Sequence, residues 1–155
     1  IYNNLDYIKS KEITLIWQCG KIYYDLYKDQ LSEDIIIHDF ISDIDTIYYS
    51  SDIIIARSGA LTLSELAIVG KPSILIPSPN VAEDHQYHNA KAISDLDGAI
   101  CLVEKDADLL FKSKLDMLIK DEEYREQISS NILKMASPGA SIKIVDKIKN
   151  HLTYE

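Results

Sequence analysis

The chain has 155 residues, 46% of them apolar, enough for one domain with a sizeable core and short for two. Its 16 basic and 25 acidic residues leave a formal net charge of −9, which excludes the basic footprint of a duplex nucleic-acid surface and gives no attraction to an anionic membrane. No apolar run approaches the roughly 18 residues of a membrane span, and the first residues show no signal-peptide pattern.

The chain opens on Ile1 rather than Met, and residues 1–10 read as the middle of something, so a fragment of a longer protein is expected. Ile-rich runs then recur at 13–17, 35–37, 53–56, 73–77 and 99–103, continuous rather than alternating, as strands buried on both faces are. Between them, 22–30, 44–50, 61–69 and 85–96 carry helical spacing. Strand and helix in alternation imply right-handed crossovers and a parallel sheet with helices on both faces. Past Glu104 the pattern turns helical, at 107–120, 122–136 and 141–152, the last two separated by the stop and restart Ser137-Pro138-Gly139. The expected fold is α/β, a Rossmann-like parallel sheet flanked by helices with extra C-terminal helices, in a single domain over 1–155. Cys19 and Cys101 sit in apolar contexts without metal-type spacing and read as buried, reduced thiols.

Three constellations could carry chemistry. In the first, a strand runs into Arg57-Ser58-Gly59 and opens directly onto the helix Ala60-Leu61-Thr62-Leu63-Ser64-Glu65. Backbone N–H groups at a helix start are unpaired and lie at the positive end of the dipole, so they attract phosphate. Gly59 and Ala60 let a ligand approach the backbone, leaving Leu61, Thr62 and Leu63 to offer N–H groups. Glu65, displaced along the helix from any phosphate, suits the two hydroxyls of a ribose. The alternative is an ordinary strand-to-helix turn with Ser58 as N-cap and Glu65 as a solvated acid.

The second constellation, Glu83-Asp84-His85-Gln86-Tyr87-His88-Asn89, begins the next helix and places His85, His88 and Asn89 on one face, with Gln86 and Asn89 as i, i+3 neighbours. Its amide and imidazole groups suit sugar hydroxyls. A zinc site from His85, His88 and Glu83 or Asp84 is a competing reading that lacks a defined third ligand. The third, His38-Asp39-Phe40-Ile41-Ser42-Asp43, follows the second strand, where Phe40 and Ile41 supply an apolar wall and free backbone groups for a pyrimidine base, or else close the end of the core. Lys21, after Gln18-Cys19-Gly20, lies near the same edge. Arg57 reads as a tie between loops, and Tyr48 and the other tyrosines as amphipathic packing.

Taken together, HDFISDI, ARSGALTLSELAIVGKPSILIPSP and EDHQYHNA resemble the C-terminal nucleotide-sugar domain of the MurG-type transferases, which add N-acetylglucosamine to lipid I in peptidoglycan synthesis. The resemblance implies one half of a GT-B glycosyltransferase, inverting, without cofactor or bound metal. It implies that the backbone at Ile41, beside Phe40, recognises uracil, and that Ala60, Leu61 and Thr62 approach the diphosphate and sugar, with Ser58, Gly59, Leu63 and Ser64 of the same turn counted among the substrate-binding residues. It further implies that Glu65 binds ribose and that Gln86 with Asn89, and more variably His85, addresses the N-acetylglucosamine. Partners implied are UDP-N-acetylglucosamine and, through an N-terminal domain, lipid I. No nucleic acid is expected, and the parent enzyme would lie peripherally on the cytoplasmic side of the bacterial inner membrane, the fragment itself being soluble.

The sequence departs from that pattern in one respect. No strand with a glycine-serine phosphate loop precedes residue 13, and the acceptor domain that carries the catalytic base is absent, so no catalytic residue is expected in this chain. Two other readings stay open: a related UDP-sugar lipid glycosyltransferase, such as one acting on diacylglycerol, and a noncatalytic UDP-sugar-binding subunit of a split transferase.

Overall fold

The computed structural model describes residues 1–29, 31 and 34–152. A 3-10 turn at Tyr2–Asn4 leads into α1 (Leu5–Lys9), then β1 (Leu15–Gln18), α2 (Lys21–Tyr27), β2 (Ile35–His38), α3 (Ile44–Ser50), β3 (Ile54–Ala56), α4 (Ala60–Val69) and β4 (Ser73–Leu75). A second 3-10 turn, Ala82–Asp84, opens α5 (His85–Ser94), and β5 (Ile100–Cys101), a third turn at Glu104–Asp106, α6 (Ala107–Lys120), α7 (Glu122–Leu133) and α8 (Ala140–Leu152) complete the order. Every predicted strand and helix is present. The end of the predicted 22–30 helix, Gln30, lies outside the described residues. The short α1 is additional; it forms because Leu5 and Ile8, three apart, both turn into the core at 7% and 2% exposure.

All pairings are parallel, in two ladders: β1 on β2, with Leu15 opposite Ile35, and β3–β4–β5, with Ile54 opposite Ser73 and Ile74 opposite Ile100. Among the described residues β1 and β3 each pair on one side only. Neighbouring residues on a strand point to opposite faces, and both faces are covered. Ile74 and Ile100 meet Phe111, Leu115, Leu118 and Ile128 of α6 and α7 on one side. Leu75 and Ile54 meet Leu66, Ala67, Ile93 and Ile132 on the other. Two-sided burial is why these strands carry unbroken apolar runs. Burying Leu66, Ile74 or Leu75, each 0% exposed, contributes about 2 kcal/mol per side chain.

The C-terminal helices are punctuated by side chains. Asp121 caps α7 by accepting the Tyr124 N–H at 2.9 Å, and the Arg125 guanidinium donates to the carbonyls of Leu118 and Ile119 at 2.6 and 2.9 Å, closing the end of α6. Gly70, at φ +65°, ends α4 in the left-handed conformation, with the Leu133 side chain where a Cβ would stand. α1 is held to α6 through Asp116, which accepts from Tyr7 and pairs with Lys11 at 2.8 Å and Lys120 at 2.7 Å; these donors, Lys11 foremost, hold its carboxyl far below the usual range. No described helix is long and apolar enough to cross a membrane.

Candidate functional site

Within each ladder the strands are parallel, so their C-terminal ends lie together, and the loops that leave these ends carry all three predicted constellations. Gln18 ends β1, Phe40 and Ile41 follow β2, Ser58 and Gly59 follow β3, Pro77 and Ser78 follow β4, and Glu104 follows β5.

At the β3–α4 turn the N-cap is Gly59 rather than Ser58, with extended backbone and no side-chain cap. Ser58 is instead fully buried, and its hydroxyl donates to the Gln86 carbonyl at 2.7 Å. Leu63 was expected among the free donors, but its N–H bonds the Gly59 carbonyl at 3.0 Å, as the first turn of an α-helix requires. The donors at the mouth of α4 are therefore the N–H groups of Ala60, Leu61 and Thr62. Ser64 turns back along the helix, donating to the Ala60 carbonyl at 3.0 Å. Leu61 is exposed at the rim. Glu65, half-buried, faces Tyr48 of α3: burial, then the neighbouring Glu65 carboxylate, pushes the Tyr48 hydroxyl above its ordinary pKa.

The α5 residues are drawn onto this turn. Asn89 donates through Nδ2 to the Ser58 carbonyl at 3.1 Å, and Gln86 accepts through Oε1 from the Ser78 N–H at 2.9 Å. Those bonds fix the amide orientations, leaving Gln86 Nε2 and Asn89 Oδ1 as the ends available to a ligand. Turn, β4 loop and α5 are thus one hydrogen-bonded unit. His85 is exposed, its Nδ1 2.8 Å from the Ala82 carbonyl, and His88 is exposed beside the Tyr87 ring. The residues of the zinc reading are not gathered: no group of three or more His, Cys, Asp or Glu that could hold a metal occurs among the described residues. Beside Gln86, a cavity of about 440 Å³ is lined by Pro77, Ser78, Pro79, Tyr87 and Glu104.

Arg57 ties the edge together, as its sequence position led us to expect. Its guanidinium donates to the carbonyls of Ile76 and Pro77 at 3.1 and 3.4 Å and grips Glu104 with two bonds of 2.8 and 3.3 Å. That grip holds the Glu104 carboxyl below its ordinary pKa.

The Phe40–Ile41 segment stands apart from this unit. Phe40 is 71% exposed, so it does not close the core. The Ile41 N–H, expected to be free, is taken by Gln18 Oε1 at 2.7 Å; among the described residues the Ile41 carbonyl receives no hydrogen bond. Cys19 and Cys101 are free thiols but only half-buried, because β1 and β5 lie at sheet margins. Sequence reasoning passed over Gln18, Tyr48 and Glu104. For Gln18 and Glu104 the usable signal was a polar side chain at a strand's C-terminal end; Tyr48, inside a helix, offered none.

Residues 3–145 match the profile of the glycosyltransferase family 28 C-terminal domain. The chain belongs to this family. It is 48% identical over 149 residues to the UDP-N-acetylglucosamine--N-acetylmuramyl-(pentapeptide) pyrophosphoryl-undecaprenol N-acetylglucosamine transferase of Flavobacterium psychrophilum, covering 96% of this chain and 41% of that protein. The transferase of the same name from Cytophaga hutchinsonii is 44% identical over 148 residues, covering 96% of this chain and 40% of its own length. The chain thus spans about two fifths of the relatives it matches. Among solved structures, Acinetobacter baumannii MurG superposes with a TM-score of 0.77 at 26% identity, over 92% of this chain and 43% of that one. Family 28 membership and this likeness bear out the fold class read from the sequence, a Rossmann-like half of a GT-B glycosyltransferase.

Proposed function

We propose that this chain is the UDP-N-acetylglucosamine-binding half of an inverting hexosyltransferase that transfers N-acetylglucosamine to lipid I, forming lipid II in bacterial peptidoglycan synthesis. The observation that carries this reading is the hydrogen-bonded unit of Ser58, Ser78, Gln86 and Asn89, which sets the open end of α4 beside two polar amides. The sequence relationship to transferases named for that reaction supports it.

In this reading the Ala60, Leu61 and Thr62 N–H groups hold the diphosphate and stabilise the charge that develops on departing UDP. Glu65 accepts from the ribose hydroxyls, and Tyr48 holds its carboxylate in place. Gln86 Nε2 and Asn89 Oδ1 address the sugar, with His85 at the rim, while Phe40 and Ile41 take the uracil. Binding remote from the anomeric carbon then positions that carbon for attack. Base catalysis and lipid I binding belong to an N-terminal domain, and the whole enzyme works peripherally on the cytoplasmic side of the inner membrane. Glu65→Ala in the transferase carrying this domain should raise donor KM roughly 10- to 100-fold, the weight of charged hydrogen bonds to a diol. An unchanged KM would remove Glu65 from the site, and a preference for UDP-glucose or UDP-galactose in donor competition would overturn the sugar assignment.

A further inference from the structure

The cavity of about 440 Å³ beside Gln86 takes no part in the donor contacts proposed above. The loops after β4 and β5 form it with the first turn of α5: Pro77, Pro79, Val103 and the Tyr87 ring make its wall apolar, and Asp84, Glu104 and Lys105 set charges around it. Arg57 grips Glu104, whereas Asp84 and Lys105, both exposed, enter no ion pair among the described residues. An unpaired acid and an unpaired base against an apolar wall suit a short peptide. Aliphatic side chains pack on the wall, N–H or ammonium groups meet Asp84, and carbonyls or carboxylates meet Lys105.

Position narrows the choice of peptide. The strand order β3-β4-β5 lays the site out in a row: the mouth of α4 after β3, the amides of Gln86 and Asn89 on α5 after β4, and then the cavity between the β4 and β5 loops. Ser78 joins the last two, because its N–H holds Gln86 Oε1 while the residue itself lines the cavity. An inverting displacement brings the acceptor oxygen to the anomeric carbon opposite the departing diphosphate, so the acceptor arrives from the end of the row away from α4. The acceptor named for the relatives joins an N-acetylmuramyl sugar, a pentapeptide, a pyrophosphate and undecaprenol. Its sugar supplies the attacking hydroxyl; its pyrophosphate would be repelled by Asp84 and Glu104, and its hydrocarbon would leave three charges without partners. Resting on the donor-site reading above, we infer that the cavity is a subsite for the acceptor's peptide, with Asp84 and Lys105 meeting its polar groups and Tyr87 and the two prolines its aliphatic ones.

The test uses the transferase carrying this domain, with two acceptors: lipid I, and the same lipid lacking its peptide. Lys105→Glu and Tyr87→Ala alter exposed side chains on opposite sides of the cavity chemistry, charge and wall. Each should raise the KM for lipid I about three- to tenfold, with the KM for the peptide-free acceptor and for UDP-N-acetylglucosamine unchanged. A general structural defect would move all three constants together. No selective rise in either variant would overturn the inference, as would an unsubstituted enzyme that uses both acceptors equally well; in both cases the donor-site reading stands. An unsubstituted enzyme that transfers nothing from UDP-N-acetylglucosamine to lipid I would instead sink the donor-site reading itself.

Discussion

The two ladders of the sheet are built to different standards. The β3–β4–β5 ladder is packed on both faces, and Leu66, Ile74, Leu75 and Ser58 around it are fully buried. The β1–β2 ladder has one buried residue, Ile35 at 7%; α2 buries none, and its half-buried Tyr27 stacks with Tyr2, Trp17 and Tyr23, the closest rings 4.1 Å apart. The proposed phosphate and sugar residues sit on the first ladder, and the proposed base residues on the second. The proposed phosphate residues are thus held in a packed, hydrogen-bonded unit, whereas the proposed base residues are tied to β1 through the exposed Gln18–Ile41 hydrogen bond. Low contact density and solvent-exposed hydrogen bonds are the conditions under which a region opens locally ahead of global unfolding.

Core truncation should break the symmetry most clearly. Leu66→Ala, at a fully buried position, should cost about 2–5 kcal/mol, while Ile36→Ala in β2, where 44% of the side chain is exposed, should cost under about 1 kcal/mol; denaturant titration of both variants measures the pair. Comparable losses would dissolve the contrast between the ladders.

A smaller effect is expected inside the cradle. Ser58→Ala removes the bond to the Gln86 carbonyl and should cost about 1 kcal/mol of stability, with faster hydrogen exchange at the Ser78 amide, because the turn, the β4 loop and α5 are one network. Exchange at Ser78 as slow as in the unsubstituted protein would show the three segments to be independent.

The smallest effect belongs to the Arg57–Glu104 clamp. Glu104 has a folded-state pKa below its ordinary 4.5, so its contribution is present above that value and is lost as pH falls through the depressed one. Both side chains are about half exposed, at 51% and 44%, so screening keeps the contribution under about 1 kcal/mol. Glu104→Gln should therefore lower stability slightly at neutral pH and flatten its decline below about pH 4.5; an identical acid limb would show the clamp to be without weight.

How much of this was legible depended on whether the cause was local. Each strand announced itself as an unbroken Ile-rich run; in β3, β4 and β5 two-sided burial leaves no polar alternation to read. The helix start at Ala60 followed from Gly59 and the apolar strand before it. The division into two ladders was not legible, because hydrophobic runs carry no information about which strand is whose neighbour. α1 was missed because two apolar residues three apart are too short a pattern to stand out. In the proposed site, Glu65, Gln86 and Asn89 could be named as candidates from chemistry and spacing, but not which atom of each amide stays free.

The sequence by itself determined the α/β class, the order of elements, the sheet edge that carries the site and the polar residues set along it, because each follows from local periodicity and from the geometry of parallel strands. Tertiary structure alone decided that Ser58 is a buried tie rather than a cap, that Tyr48 faces Glu65, and that Gln18 occupies the Ile41 N–H. Those are contacts between residues 17 to 28 positions apart, and a hydrogen bond across such a distance exists only once the sheet has brought its ends together.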